Sequence, residues 1–144
     1  QIPARDGVAT GQIQRSNRWP NCSFFTNWTN VADKITWNIE LVESGDFEVI
    51  LYYTCAAENV GGSFELSFND IGLIGTITEA HDPPLLGLDS YRYPNGESYT
   101  KYFKPLNLGK IHWQKGKGTL SLNALTIPNE ALMDFRLLMI KRLE

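Results

Sequence analysis

Cysteine is scarce in this chain: Cys22 and Cys55 are the only two among 144 residues. That is too few for a disulfide scaffold, and the pair lacks the spacing of a zinc site. Two buried thiols are the simplest reading. A Cys22–Cys55 bridge stays open for an oxidising compartment, since a count alone brings no two sulfurs within bonding distance. Histidine is as rare, with only His81 and His112. Long apolar runs are missing too, and nothing approaches the roughly 18 residues that a transmembrane helix needs. Charge of one sign is not in excess: 13 basic residues face 16 acidic ones. No Lys/Arg cluster stands out to supply the phosphate contacts on which nucleic-acid affinity rests, so nucleic acid and membrane are both excluded as expected partners. The chain begins at Gln1 rather than Met, which reads as a processed or excised piece and leaves open a signal peptide or further domain upstream. No internal repeat and no segment that reads as a three-turn helix is visible, which argues against solenoids, propellers and α/β folds.

What the sequence does have is alternation. Residues Ile35-Thr36-Trp37-Asn38-Ile39-Glu40-Leu41 alternate apolar and polar without a fault, the period of a half-buried strand, and they point Trp37 into the core. After turn chemistry at Ser44-Gly45-Asp46, alternation resumes with Phe47, Val49, Leu51 and Tyr53 on one face, so the two segments read as a hairpin. Phe64 to Phe68 and the glycine-punctuated stretch from Ile71 to Ile77 continue as a meander. Leu108 to Trp113 and Thr119 to Ala124 read as a further hairpin across Lys115-Gly116-Lys117-Gly118, and Met133 to Leu143 as a long buried last strand. Between them, Glu79 to Lys104 holds Pro83-Pro84, Gly87, Pro94 and Gly96 together with Tyr91, Tyr93, Tyr99 and Tyr102. That stretch reads as a long aromatic-bearing loop. The sum is an all-β fold, a jelly-roll β-sandwich of about eight antiparallel strands, forming one domain over 1–144 with its core at about 12–143.

No residues assemble into an enzyme. His112 sits between Ile111 and Trp113 in a strand, the default place for a sheet-face histidine, and His81 lies in the loop Glu79-Ala80-His81-Asp82. Adjacent loop residues rarely aim at one point, so solvated polarity outweighs a Glu79, His81 and Asp82 metal site; no cofactor is expected and a structural calcium is left unassigned. The glycine pairs match neither the Walker nor the dinucleotide fingerprint, and the sequons at Asn21 and Asn27 carry little weight. Aromatic residues, in contrast, make up 12% of the chain, and several stand outside the alternating segments. A ring can stack on the apolar face of a sugar while polar neighbours reach its hydroxyls. The expected carbohydrate-binding residues are therefore Trp28, Asp89, Tyr91, Arg92 and Tyr93, with rings that pin a loop to the core as the plainer account of the same residues. For Trp37, Tyr53 and Phe135 the core is the stronger reading.

A resemblance then adds to these residues. Phe25-Thr26-Asn27-Trp28, Asp33 to Trp37 and Gly45 to Tyr53 resemble jelly-roll carbohydrate-binding modules. Glu97 to Leu106, Lys115 to Leu120 and Met133 to Leu138 resemble the C-terminal domain of bacterial N-acetylgalactosamine-6-sulfatase-type sulfatases, over residues 12–143. The resemblance implies a secreted or periplasmic bacterial parent acting on sulfated glycans, with its catalytic domain and a glycan as the partners of this module. Neither Cys22 nor Cys55 lies in the Cys/Ser-x-Pro-x-Arg motif of a sulfatase nucleophile, so this chain is expected to be the non-catalytic accessory part. Two functions remain open: a module that binds glycan, or one that packs on the catalytic domain without binding. The first keeps Trp28, Tyr91 or Tyr93 exposed in a cleft, and the second shows a flat apolar patch.

Overall fold

A computed structural model of the chain describes residues 1–16, 24–82 and 102–143. Its strands are β1 (Ile2–Pro3), β2 (Val8–Ala9), β3 (Gln14–Arg15), β4 (Phe25–Thr26), β5 (Lys34–Leu41), β6 (Gly45–Thr54), β7 (Ser63–Phe68), β8 (Ile71–Thr76), β9 (Lys104–Trp113), β10 (Gly116–Thr126) and β11 (Asp134–Arg142). The first sheet runs β3-β4-β11-β6-β9, with β1 also on β11, and the second runs β2-β5-β10-β7-β8. Every pairing is antiparallel. This is the expected all-β jelly-roll sandwich.

Alternation fixes the core. Ile35 and Trp37 of β5, Phe47, Val49, Leu51 and Tyr53 of β6, Phe64, Leu66 and Phe68 of β7, and Leu120 and Leu122 of β10 all face inward and are buried. Trp37 is 3% exposed and meets Phe135 of the opposite sheet edge-on, ring centroids 5.7 Å apart. Trp113 sits between Phe47 and Phe68, at 5.9 and 6.0 Å. Each such side chain contributes about 1.5–3 kcal/mol by leaving water.

Two expected hairpins are not there. β5 pairs with β10 and β2, whereas β6 pairs with β11 and β9, so the chain at Ser44 arches from one sheet to the other. The connection from β9 to β10 crosses in the same way. The Ser44 hydroxyl ties the two arches together, donating to Gln114 Oε1 at 3.1 Å and accepting from the Lys115 N–H at 2.7 Å. The β7–β8 hairpin is real. It closes over Asn69 and Asp70, whose φ of 50° and 70° are those of a tight turn matched to strand twist.

The chain's first residues cross between the sheets, with β1 on β11 and β2 on β5. Arg15 fastens this crossing. Its guanidinium donates to the carbonyls of Ala4, Arg5 and Gly7 at 3.3, 3.0 and 2.9 Å and lies 4.8 Å from the centre of the Phe25 ring. The outer faces of the two sheets differ. On the second, Thr36, Asn38, Ser63, Ser67, Thr119, Ser121 and Asn123 point outward. On the first, Ile50 lies opposite Met139 and Tyr52 opposite Leu137, all only half-buried.

Candidate functional site

The ends of β6 and the start of β11 meet at one pole of the sandwich, where Thr54 pairs with Asp134. A cleft of about 120 Å³ opens there, lined by Thr54, Cys55, Asn59, Asp82, Met133 and Asp134 among others. Tyr53 faces the core, so alternation would turn Thr54 outward to water, yet Thr54 is buried. Its hydroxyl has no hydrogen-bond partner among the described residues. A buried hydroxyl left unpaired costs about 1–3 kcal/mol. Asp134 accepts a hydrogen bond from the Thr26 hydroxyl at 2.7 Å, and Asn59 Oδ1 accepts one from the Glu130 N–H at 3.1 Å.

Cys55 carries a free thiol, and Cys22 lies outside the described residues. The thiol is pushed up to about 11, first by burial and then by the carboxylates of Asp134, Asp82 and Glu58. It stays protonated at neutral pH and is no nucleophile. Its contacts at 3.4 and 3.6 Å are with the carbonyls of Ala56 and Leu132. Beside it, burial foremost raises the Tyr53 phenol, whose O–H donates to the Glu79 carbonyl at 2.7 Å. The cleft is thus acidic.

The residues that flank the two internal stretches outside the described residues stand near this pole. Asp82 precedes 83–101 and Tyr102 follows it; the His81 ring donates through Nε2 to the Tyr102 carbonyl at 2.9 Å. His81 and Cys55 also exchange backbone hydrogen bonds at 2.8 and 2.9 Å. Ser16 and Phe24 flank 17–23, with the Ser16 N–H on the Phe24 carbonyl at 2.8 Å, and Phe24 meets Phe103 edge-on at 5.3 Å. Glu79 pairs with Lys104 at 3.1 Å.

Of the expected binding residues, Asp89, Tyr91, Arg92 and Tyr93 lie outside the described residues. Trp28 is corrected. It is 1% exposed, with its indole N–H on the Asp33 carbonyl at 3.2 Å, so it is a core residue and no stacking platform. His112 stands on the outer face of the first sheet as expected, 2.8 Å from Asp46 and at the other end of β6 from the cleft. Thr54, Asn59 and Asp134 were not foreseen. Only the acidic residue between Met133 and Phe135 hints at a strand end. Among the described residues, no three of His, Cys, Asp and Glu are grouped to hold a metal, and no helix is long and apolar enough to cross a membrane.

No family model matches the sequence, and no curated protein does. Solved structures match its fold. The C-terminal CBM6 of LamC, a marine laminarinase from Zobellia galactanivorans, superposes with a TM-score of 0.66 over 98% of this chain and 97% of that one, at 12% identity. A family 35 carbohydrate-binding module from Clostridium thermocellum gives 0.61 over 96% and 94%, at 10% identity. The GH26-CBM35 β-(1,4)-mannanase of Podospora anserina gives 0.58 over 99% of this chain at 13% identity, but this chain spans only 27% of that enzyme. At such identities the likeness is one of fold, and the chain is a two-sheet jelly-roll sandwich of the shape that these carbohydrate-binding modules have.

Proposed function

We propose that this chain is a carbohydrate-binding accessory module without chemistry of its own, holding glycan at the cleft pole beside the catalytic domain of a sulfatase-type parent. The observation that carries this reading is the cleft itself. The unpaired Thr54 hydroxyl and the Asp82 and Asp134 carboxylates line it, and Asp82 leads directly into the aromatic segment that holds Asp89, Tyr91, Arg92 and Tyr93. Carboxylates accept hydrogen bonds from sugar hydroxyls, and tyrosine rings stack on sugar faces. The acidic lining favours a hydroxyl-bearing sugar unit in the cleft and leaves Arg92 as the cation for a sulfate or uronate group on a neighbouring unit. The shared shape with modules whose names state carbohydrate binding supports the class of ligand. The sulfatase parent and a secreted or periplasmic location rest on the sequence resemblance.

Calorimetric titration of sulfated and desulfated glycosaminoglycan fragments tests this. Tyr91→Ala/Tyr93→Ala should weaken binding by about tenfold or more, with Asp82→Asn also weaker and all variants unfolding at the wild-type temperature. Equal affinities would remove those residues from the site, and no heat from any glycan would sink the reading. A packing module is favoured by a different observation, the half-buried Ile50, Tyr52, Leu137 and Met139 on the outer face of the first sheet. In that case Tyr52→Asp would release the parent's catalytic domain and leave glycan binding unchanged.

A further inference from the structure

The sandwich has five strand edges among its described residues, and four of them are blunted. β1, β2 and β3 are two residues long. β9 carries Pro105 and a bulge at its pairing with Val49 and Ile50, where Gly109 has a φ of 107°. Short edges, prolines and bulges prevent a further strand from adding to a sheet. β8 has none of these. Its six residues, Ile71-Gly72-Leu73-Ile74-Gly75-Thr76, pair with β7 in unbroken register and contain no charge and no proline. Ile71 and Ile74 are 43% and 61% exposed.

The direction of the free backbone groups follows from the ladder. Gly62 and Ile77 are a hydrogen-bonded pair, since the Ile77 N–H reaches the Gly62 carbonyl at 2.8 Å, and the Ser63 N–H turns the other way to Thr126 Oγ1 at 3.1 Å. Antiparallel pairs alternate between bonded and non-bonded. Phe64–Gly75, Leu66–Leu73 and Phe68–Ile71 are therefore bonded to each other, and Gly72, Ile74 and Thr76 turn their N–H and C=O groups away from β7.

We propose that a second copy of this chain pairs on β8, antiparallel about a two-fold axis at Ile74, joining the second sheets of the two copies into one continuous sheet. The choice of occupant comes from self-complementarity. Gly72 meets Thr76 of the other copy, Ile74 meets Ile74, and every outward N–H faces an outward C=O. The two isoleucines cover each other on the outer face, where that sheet otherwise shows hydroxyls, amides and the charges of Lys34, Glu40, Glu65 and Lys117. No like charges are brought opposite one another along the strand, and the axis makes the contact isologous and closed.

Sedimentation across a concentration series tests the pairing. The wild type should rise from the monomer mass to twice that mass and no further. Ile74→Glu, which sets two carboxylates at the axis beside the Glu65 that pairs with Ile74 in each copy, should remain monomeric. Ile74→Pro should also stay monomeric, because it removes only an outward N–H and leaves the β7 ladder whole. Ile74→Val should dimerise like wild type. Hydrogen exchange locates the contact: the Gly72, Ile74 and Thr76 amides should slow with concentration in wild type and stay fast in Ile74→Glu. A wild type that is monomeric throughout overturns the proposal. So does a dimer that survives Ile74→Glu, or one in which those three amides exchange freely. Extended peptides or other proteins captured on β8 while the chain itself stays monomeric would likewise overturn the second copy as occupant.

Discussion

The thiol of Cys55 and the indoles of Trp37 and Trp28 show how far a single side chain is governed by what surrounds it. Burial raises the folded thiol from 9.0 to about 11, so the native state holds its proton more tightly than the unfolded chain. Stability is then unaffected below pH 9, falls as pH climbs from 9 through about 11, and levels beyond it. Denaturant midpoints measured across that window should fall more steeply for wild type than for Cys55→Ala; parallel profiles would mean that the thiol does not report the cleft. Trp37→Ala should cost about 3–5 kcal/mol, and a loss under about 1 kcal/mol would contradict its place against Phe135. The position of Trp37 was legible because it lies within seven faultlessly alternating residues. Trp28 was not, since Asn27-Trp28-Thr29 has no period to say which way the ring points. Its burial follows from a single hydrogen bond to Asp33 and from the left-handed turn at Asn27, φ 61°. Thr54 eluded sequence reading for a related reason: alternation sends it outward, yet it is buried at the cleft that it shares with Ala131 to Asp134.

At the scale of the element, the seven long strands fall close to where alternation put them, but the expected partners of β5, β6, β9 and β10 do not. Period two states which residues face the core and is silent on which neighbour stands alongside. Ser44-Gly45-Asp46 has the composition of a hairpin turn and in fact spans the gap between two sheets, because β5 pairs with β2 and β10 while β6 pairs with β9 and β11. Asn69-Asp70 is a true turn, and there the local chemistry can be improved. Asp70 holds a φ of 70°, which glycine adopts freely, so Asp70→Gly should stabilise the chain by about 0.5–1 kcal/mol in a denaturant titration. A destabilised variant would show that the Asp70 side chain contributes something that the geometry does not reveal. The bulk of the candidate site was only partly legible. The aromatic segment stood out by composition, whereas the cleft needs β6, β11 and the His81 bridge brought to one pole from distant parts of the chain.

For the whole molecule, nearly every connection between long strands crosses from sheet to sheet, so few contacts are local and chain closure precedes most of the gain. Stopped-flow refolding should accordingly be slow, in roughly milliseconds to seconds, and a microsecond phase carrying the full amplitude would be inconsistent with this topology. The two outer faces carry a different implication. On the first sheet Ile50, Tyr52, Leu137 and Met139 form an apolar strip beside Glu48 and Lys141, on the second hydroxyls and amides mix with charges, and the cleft opens where β6 and β11 meet, just beyond Tyr52 and Leu137. A body resting on the apolar strip would border the cleft, and a polysaccharide thread held there would run alongside that body's surface. Anchorage and capture would then adjoin, so the module could serve as a bracket and a guide at once.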